Sequence, residues 1–312
     1  MLSFVGIFQP MFFRGGCCVR IFTMIFFVVG LGGSLAFGAD SSFRNLDKRE
    51  CPILDTPYRT LSGLEIGYIF TAPTDAPGWG EISVSEVDAW VRCLDIENDS
   101  GGEFEICGQM NVLTLQLTEG SEIYPLMRAG FNFQWNQRFV NGFGMELNAT
   151  PGLYSVVDQV DGESFSVPFG LTGIMAFSGD SAVYAGVNVY PNFQQTVDPV
   201  LGFRWSDRDD VVVQIGYPET RVEYSPSREF RLITGAQMAL WPDYSMGDDA
   251  RERIQYSEGR GFGRVEFGVT EFTMLSIEGG YAFERTISFA SSSDDVEVEG
   301  APYVRFGIHG SM

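Results

Sequence analysis

The sequence predicts an all-β fold, an antiparallel up-and-down transmembrane β-barrel of about 12 strands, within a range of about 10 to 14. Three observations carry that reading. The first is alternation in Leu275–Phe289. Leu275, Ile277, Tyr281, Phe283, Ile287 and Phe289 share one parity; Ser276, Glu278, Gly280, Ala282, Glu284, Thr286 and Ser288 share the other. Side chains alternate across a strand, so this ribbon has one apolar face and one small or polar face. The second is its length, well beyond the roughly 5–6 residues usual in soluble sheets and enough for the roughly 9–11 that a tilted strand needs to cross a bilayer. The third is connectivity. Short links such as SGDS at 178–181 alternate with long polar ones, the habit of barrels with tight turns at one rim and long loops at the other.

Taken in order, residues 1–38 read as an export signal. Arg14 and Arg20 precede the apolar run Ile21–Phe37, and Ala36 and Gly38 suit the small positions before a cut. Residues 39–60, with Pro52 and Pro57, read as a polar linker. The barrel is assigned to 61–312 and opens with Leu61–Phe70. Ile82–Ile96 and Phe104–Leu117 then form a hairpin about ENDSGGE, followed by Ile123–Trp135 and Phe139–Leu147. The next strand is clean, with Phe165, Val167, Phe169, Leu171, Met175 and Phe177 on one face, and it returns through Ala182–Tyr190. Pro199–Trp205, Val211–Tyr217, Thr220–Tyr224 and Phe230–Trp241 continue the pattern. Pro242–Gly261 is mostly charged and reads as a loop, after which Gly261–Phe272 pairs with Leu275–Phe289. Ala301–Met312 ends the chain with Val304, Phe306 and Ile308 on one face. An open sheet in lipid would leave edge N–H and C=O groups unpaired at high cost, so the last strand is expected to close against the first, near Leu61.

Composition agrees. Hydrophobic residues make up 45% of the 312, and the mean hydropathy of +0.02 argues against a bundle of apolar helices. A barrel shows only alternate residues to lipid and so hides its membrane character. The formal net charge of −21 argues against nucleic acid as a partner, since nothing is available to neutralise phosphates. It fits solvated acidic loops or an interior that prefers cations. Past the export signal, Cys51, Cys93 and Cys107 remain. Cys93 and Cys107 are equidistant from Ser100, so a hairpin folded about that centre sets them opposite each other. A disulfide and two free thiols both fit that placement.

The overall pattern resembles that of bacterial outer-membrane barrels, including an ending on an alternating strand. It departs from their common terminal aromatic residue, because the chain ends Gly310, Ser311, Met312. More narrowly, ATPGLYS (149–155), IGYPETRVEYSPS (215–227) and EGGYAFER (278–285) followed by Ile287 look like a family of uncharacterised exported proteins thought to be barrels. That resemblance implies export to an outer membrane and contact with its lipid. It carries no catalytic residue.

The candidate functional set is the polar parity of the late strands: Arg264, Glu266, Glu278, Glu284 and Arg305. Neighbouring strands let Glu and Arg pair across an interior. Two readings stand, a salt-bridge ladder that fills the barrel and a cation-leaning pore lining. Arg285 has the apolar parity and is expected to snorkel toward the membrane interface. The lone histidine, His309, has the interior parity, with Ser276 and Thr286 on strands near it, but nothing in the local sequence marks a nucleophile. The acidic runs NDSGGE, SDRDD, MGDD and SSSDDVEVEG lack an ordered calcium-loop spacing. The expectation is therefore an outer-membrane barrel with no enzymatic site, cofactor or metal, structural or a passive small-solute pore. The rival is a soluble lipocalin-like cup with the apolar face turned inward, and an outer-membrane lipid hydrolase ranks last.

Overall fold

The computed structural model describes residues 63–310, apart from 98–101, 118–122, 140–141, 158, 161, 179, 192–196, 208–209, 228, 241–243, 246–252, 271 and 290–294. The expected export signal and linker, and Cys51, lie outside the described residues. The first wall strands are β1 (Leu64–Ala76), β2 (Gly80–Glu97), β3 (Gly102–Leu117), β4 (Ile123–Arg138) and β5 (Phe143–Ala149). Two short strands, β6 (Gly152–Val156) and β7 (Phe165–Ser166), precede β8 (Phe169–Ser178), β9 (Ser181–Val189) and β10 (Val197–Asp207). Then come β11 (Val211–Tyr217), β12 (Glu219–Ser227), β13 (Phe230–Leu240) and the two-residue β14 (Tyr244–Ser245). The chain finishes with β15 (Arg253–Thr270), β16 (Thr273–Phe289), β17 (Val296–Val298) and β18 (Ala301–Gly310).

Setting aside β6, β7, β14 and β17, these strands form a closed antiparallel barrel of 14. Closure is made by β18 against β1, in a register running from Leu64↔Gly310 to Thr71↔Tyr303. No edge is left along this seam, so the backbone groups of both strands are paired within the wall. Both ends of the wall lie at one rim, called here the terminal rim. The opposite, distal rim carries the longer connections.

The alternation written in the sequence becomes an inside and an outside. Phe169 and Phe306 point outward and are 45% and 52% exposed, whereas Glu278 points inward and is 2% exposed. Ile66, Tyr68 and Phe70 of β1, Leu201 of β10 and Ile215 of β11 extend the outward apolar belt. The inward-apolar polarity of a cup is not the one this chain has.

The wall is uneven in height. β1 to β4, β15 and β16 have 13 to 18 residues, while β5 and β8 to β13 have 7 to 11. The tall arc curls over at the distal rim. There the upper part of β4 leaves β5 and pairs with β6, from Leu126↔Val156 to Gly130↔Gly152. In turn β6 meets β14 in parallel at Ser245↔Ser155, and β14 meets β15 at Tyr244↔Ile254. On the other side β17 pairs with β16, and Glu299 donates its N–H to the Asp75 carbonyl of β1 at 3.1 Å. A second, smaller ring is thereby completed from β15, β16, β17, β1, β2, β3, β4, β6 and β14.

The smaller ring has its own apolar core. Ile82, Val84, Leu113, Leu115, Leu126 and Tyr154 pack there with Tyr244, Ile254, Tyr256 and Ile287. Trp79 and Phe289 stack at 5.3 Å on its edge. The charged stretch 242–261 is thus not all loop: from Arg253 onward it is strand, with Ile254 and Tyr256 turned into the core.

Candidate functional site

The interior of the barrel is where polar chemistry collects. Inward side chains recur every second residue along a strand, and partners across the ladder share a face, so inward carboxylates meet inward arginines on neighbouring strands. Arg264 donates to Glu278 (Nε–Oε2 2.7 Å) and lies 3.6 Å from Glu266. Arg231 joins Glu266 (3.2 Å) to Glu223 (3.0 Å). Tyr303 donates to the other Glu278 oxygen at 2.8 Å. Arg305 donates to Glu65 at 3.2 Å and to Asp88 at 3.0 Å. These contacts make a belt along the inner wall from β12 to β2. Removing charge from water costs several kcal/mol per ion, and only this degree of pairing makes it tolerable.

Above the belt, a pair crosses between strands that are not neighbours. Arg260 of β15 reaches Glu86 of β2 at 3.1 Å and also pairs with Glu258. Asn111 donates to the second Glu86 oxygen at 2.8 Å, and the Arg260 guanidinium lies 5.5 Å from the Tyr303 ring centroid. Together with the apolar core above it, this chord fills the tall arc of the barrel. Tyr244 sits within that core at 0% exposure, and burial raises its phenol well above the usual tyrosine range.

Arg264, Glu266, Glu278 and Arg305 all face the interior, but Glu284 does not. It is exposed on the outer side, with φ of 48°. The pairing of β15 with β16 slips there, from Gly259↔Phe283 to Ser257↔Thr286, so Glu284 is one extra residue, a β-bulge. Past it the parity inverts. Arg285, expected at the membrane interface, is instead buried at 1% exposure inside the barrel. It donates to the Tyr256 hydroxyl (2.9 Å), to Thr74 (2.8 Å) and to the Glu299 carbonyl (3.0 Å).

A second bulge separates the two cysteines. The hairpin register runs Arg92↔Cys107 and then Leu94↔Ile106, leaving Cys93 without a partner across the ladder. Both thiols are free, Cys93 exposed and Cys107 buried beside Glu105 at 2.9 Å. The symmetric hairpin that would have set them opposite is broken by that single extra residue.

The structure does bring His309 and Ser276 together. His309 Nε2 lies 3.1 Å from the Ser276 hydroxyl, and Nδ1 lies 3.6 Å from Glu65. Gly307 makes this contact possible, because a methyl group there would overlap the Ser276 hydroxyl. The order serine, imidazole, carboxylate is that of a hydrolase triad. Its setting is different: Ser276 is 6% exposed, Glu65 is already held by Arg305, and the strand N–H groups around it are spent on the ladder. An oxyanion hole needs donors free to point at the developing charge, and the backbone beside Ser276 is paired on both sides, with Glu266 and Gly307. We read it as the end of the interior polar belt. Thr286 does not join it.

Sequence reasoning missed Glu65, Glu86, Asp88, Glu258 and Arg260. All five have the inward parity of their strands, and a parity tabulation of β1, β2 and the first half of β15 would have found them. Among the described residues no group of His, Cys, Asp and Glu is arranged to hold a metal ion. Most of the four acidic runs lies outside the described residues.

No protein-family model matches the sequence, and no curated protein matches it. Solved structures do resemble the fold. The NanC porin aligns over 80% of this chain and 100% of its own, at 8% identity and a TM-score of 0.40. An outer-membrane channel from Pseudomonas putida F1 aligns over 79% and 95%, at 10% identity and 0.43. A mutant of the TodX monoaromatic hydrocarbon channel aligns over 80% and 89%, at 8% identity and 0.42. At these values no residue of those proteins is carried over to this chain.

Proposed function

We propose that this chain is an outer-membrane barrel serving as a passive conduit for small solutes. One observation carries the reading: a closed 14-strand wall whose outward side is an apolar belt and whose inward side is charged and hydrogen-bonded. That polarity suits hydrocarbon outside and polar contents inside. A filled, purely structural barrel is the second reading, favoured by the apolar core and the Arg260–Glu86 chord across the tall arc.

The test has two stages. The protein should leave membranes only with detergent and should migrate faster unboiled than boiled on a gel. Release into the soluble fraction without detergent would overturn the membrane assignment. In planar bilayers the folded protein should then carry a steady, stepwise current. Insertion with no current would favour the structural reading.

A further inference from the structure

We propose that solutes cross this barrel off its axis, along the inner surface of β8 to β11, and that the path suits a small neutral solute rich in hydrogen-bonding groups. The proposal rests on the conduit reading above and adds its route and substrate class.

The two arcs of the interior differ in what water reaches. On the tall arc the inward side chains of the upper half, including Val84, Leu113, Leu115, Glu258 and Arg260, are buried. On the short arc the inward side chains Asn148, Thr172, Tyr184, Asn188, Gln214 and Gln237 are partly exposed. These two sets face the same barrel, so the asymmetry places the accessible space to one side. The bridge from β6 to β14 runs between the arcs, and among the described residues β8 to β12 join no inner ring. Their 7 to 11 residues make a wall only about as tall as a bilayer crossing requires. A solute entering at the terminal rim is therefore shortest of obstacles on this side.

The wall is also hollowed here. Tyr184 of β9 lies against Gly202 on the adjacent β10 and Gly216 on β11 beyond it, where any side chain would collide with its hydroxyl. The ring thus lies along the wall rather than across the interior. An aromatic ring laid along a wall, bordered by amides and hydroxyls, suits a solute with an apolar ring face and an edge of hydroxyl groups. Charge argues the same way. Of the acidic residues that suggested a cation preference, Glu266 and Glu278 are held in ion pairs with Arg231 and Arg264, and Glu284 faces outward. On this side Arg204 and Glu146 carry opposite charges, the buried Arg221 pairs with Glu219 at 3.4 Å, and the buried Asp198 accepts from the Tyr217 hydroxyl at 2.8 Å. The path offers donors and acceptors without a strong field of one sign.

The experiment uses the full barrel with its native cysteines replaced by serine, and single cysteines placed at Asn188→Cys, Gln214→Cys and Leu115→Cys. Gel mobility before and after boiling confirms that each is folded. A water-soluble methanethiosulfonate is added during bilayer recording. Current should fall at least twofold for the first two and stay unchanged for Leu115→Cys. A block at Leu115→Cys, or none at Asn188→Cys and Gln214→Cys, overturns the route. In swelling assays on protein-loaded vesicles, glucose should enter at least twofold faster than gluconate or glucosamine. Faster entry of either charged sugar overturns the solute class. Absence of any current in the unmodified barrel is a separate result, which removes the conduit reading and this inference with it.

Discussion

Arg260 shows how much a single interior side chain holds together. It faces two carboxylates, Glu86 and Glu258, and both are buried. Replacing it by methionine keeps the volume but takes the paired cation from Glu86 and leaves Glu258 with Arg285 at 3.7 Å, where water cannot reach either carboxylate. Breaking a buried pair in this way costs about 3–5 kcal/mol. Arg260→Met should therefore lower, by many degrees, the temperature at which the compact gel band converts to the unfolded one. An unchanged conversion temperature would mean that the pair is not closed. Individual residues were legible in the sequence where alternation runs unbroken. Arg264, Glu266, Glu278 and Arg305 lie on such stretches, so parity alone assigns their side. Arg285 was not legible, because parity is inherited from the residue before it and one inserted residue inverts everything that follows. Cys93 fails for the same reason. A bulge is set by local backbone geometry, and here no glycine or asparagine marks the spot.

Among the elements, β16 depends most on such an insertion. Glu284 takes a left-handed conformation that costs an L-residue roughly 1–2 kcal/mol, a cost that glycine escapes. Glu284→Gly should stabilise the barrel by about 1 kcal/mol, read as a higher gel-conversion temperature. Deleting Glu284 should leave the facing intact, because removing the extra residue restores plain alternation from an outward Phe283 to an inward Arg285 and Ile287, and assembled barrel should persist in membranes. Loss of assembled barrel in the deletion variant would show that the bulge geometry itself is needed, beyond the facing of the upper strand. The long alternating strands were readable because periodicity accumulates over many residues. β14 has two residues and no period to read. The upper half of β15 was hidden differently: its charge makes it look like loop, although Ile254, Tyr256, Glu258 and Arg260 share one parity.

At the scale of the whole molecule, closure was foreseeable from physics, since lipid tolerates no open edge. The count of 14 strands and the inner ring were not, because both depend on pairings between segments far apart in the chain. Tyr244 is the single contact that makes the inner ring testable. It carries the bridge from β15 toward β6 and is completely enclosed by the apolar core. Emptying an aromatic site of this kind costs about 3–5 kcal/mol. Tyr244→Ala should lower the gel-conversion temperature and, by loosening the filled arc, raise the current through the barrel. A current that stays the same while stability falls would show that the core fills space without limiting flow.

The inner bridge also has a history implied by its geometry. Ser155 hangs from β4 and Ser245 from β15, at the two ends of the tall arc, and loop entropy keeps such distant segments apart until something else brings them near. That something is the cylinder. The crosspiece therefore leans on the hoop, spanning one rim of a tube whose own closure runs through β1 and β18.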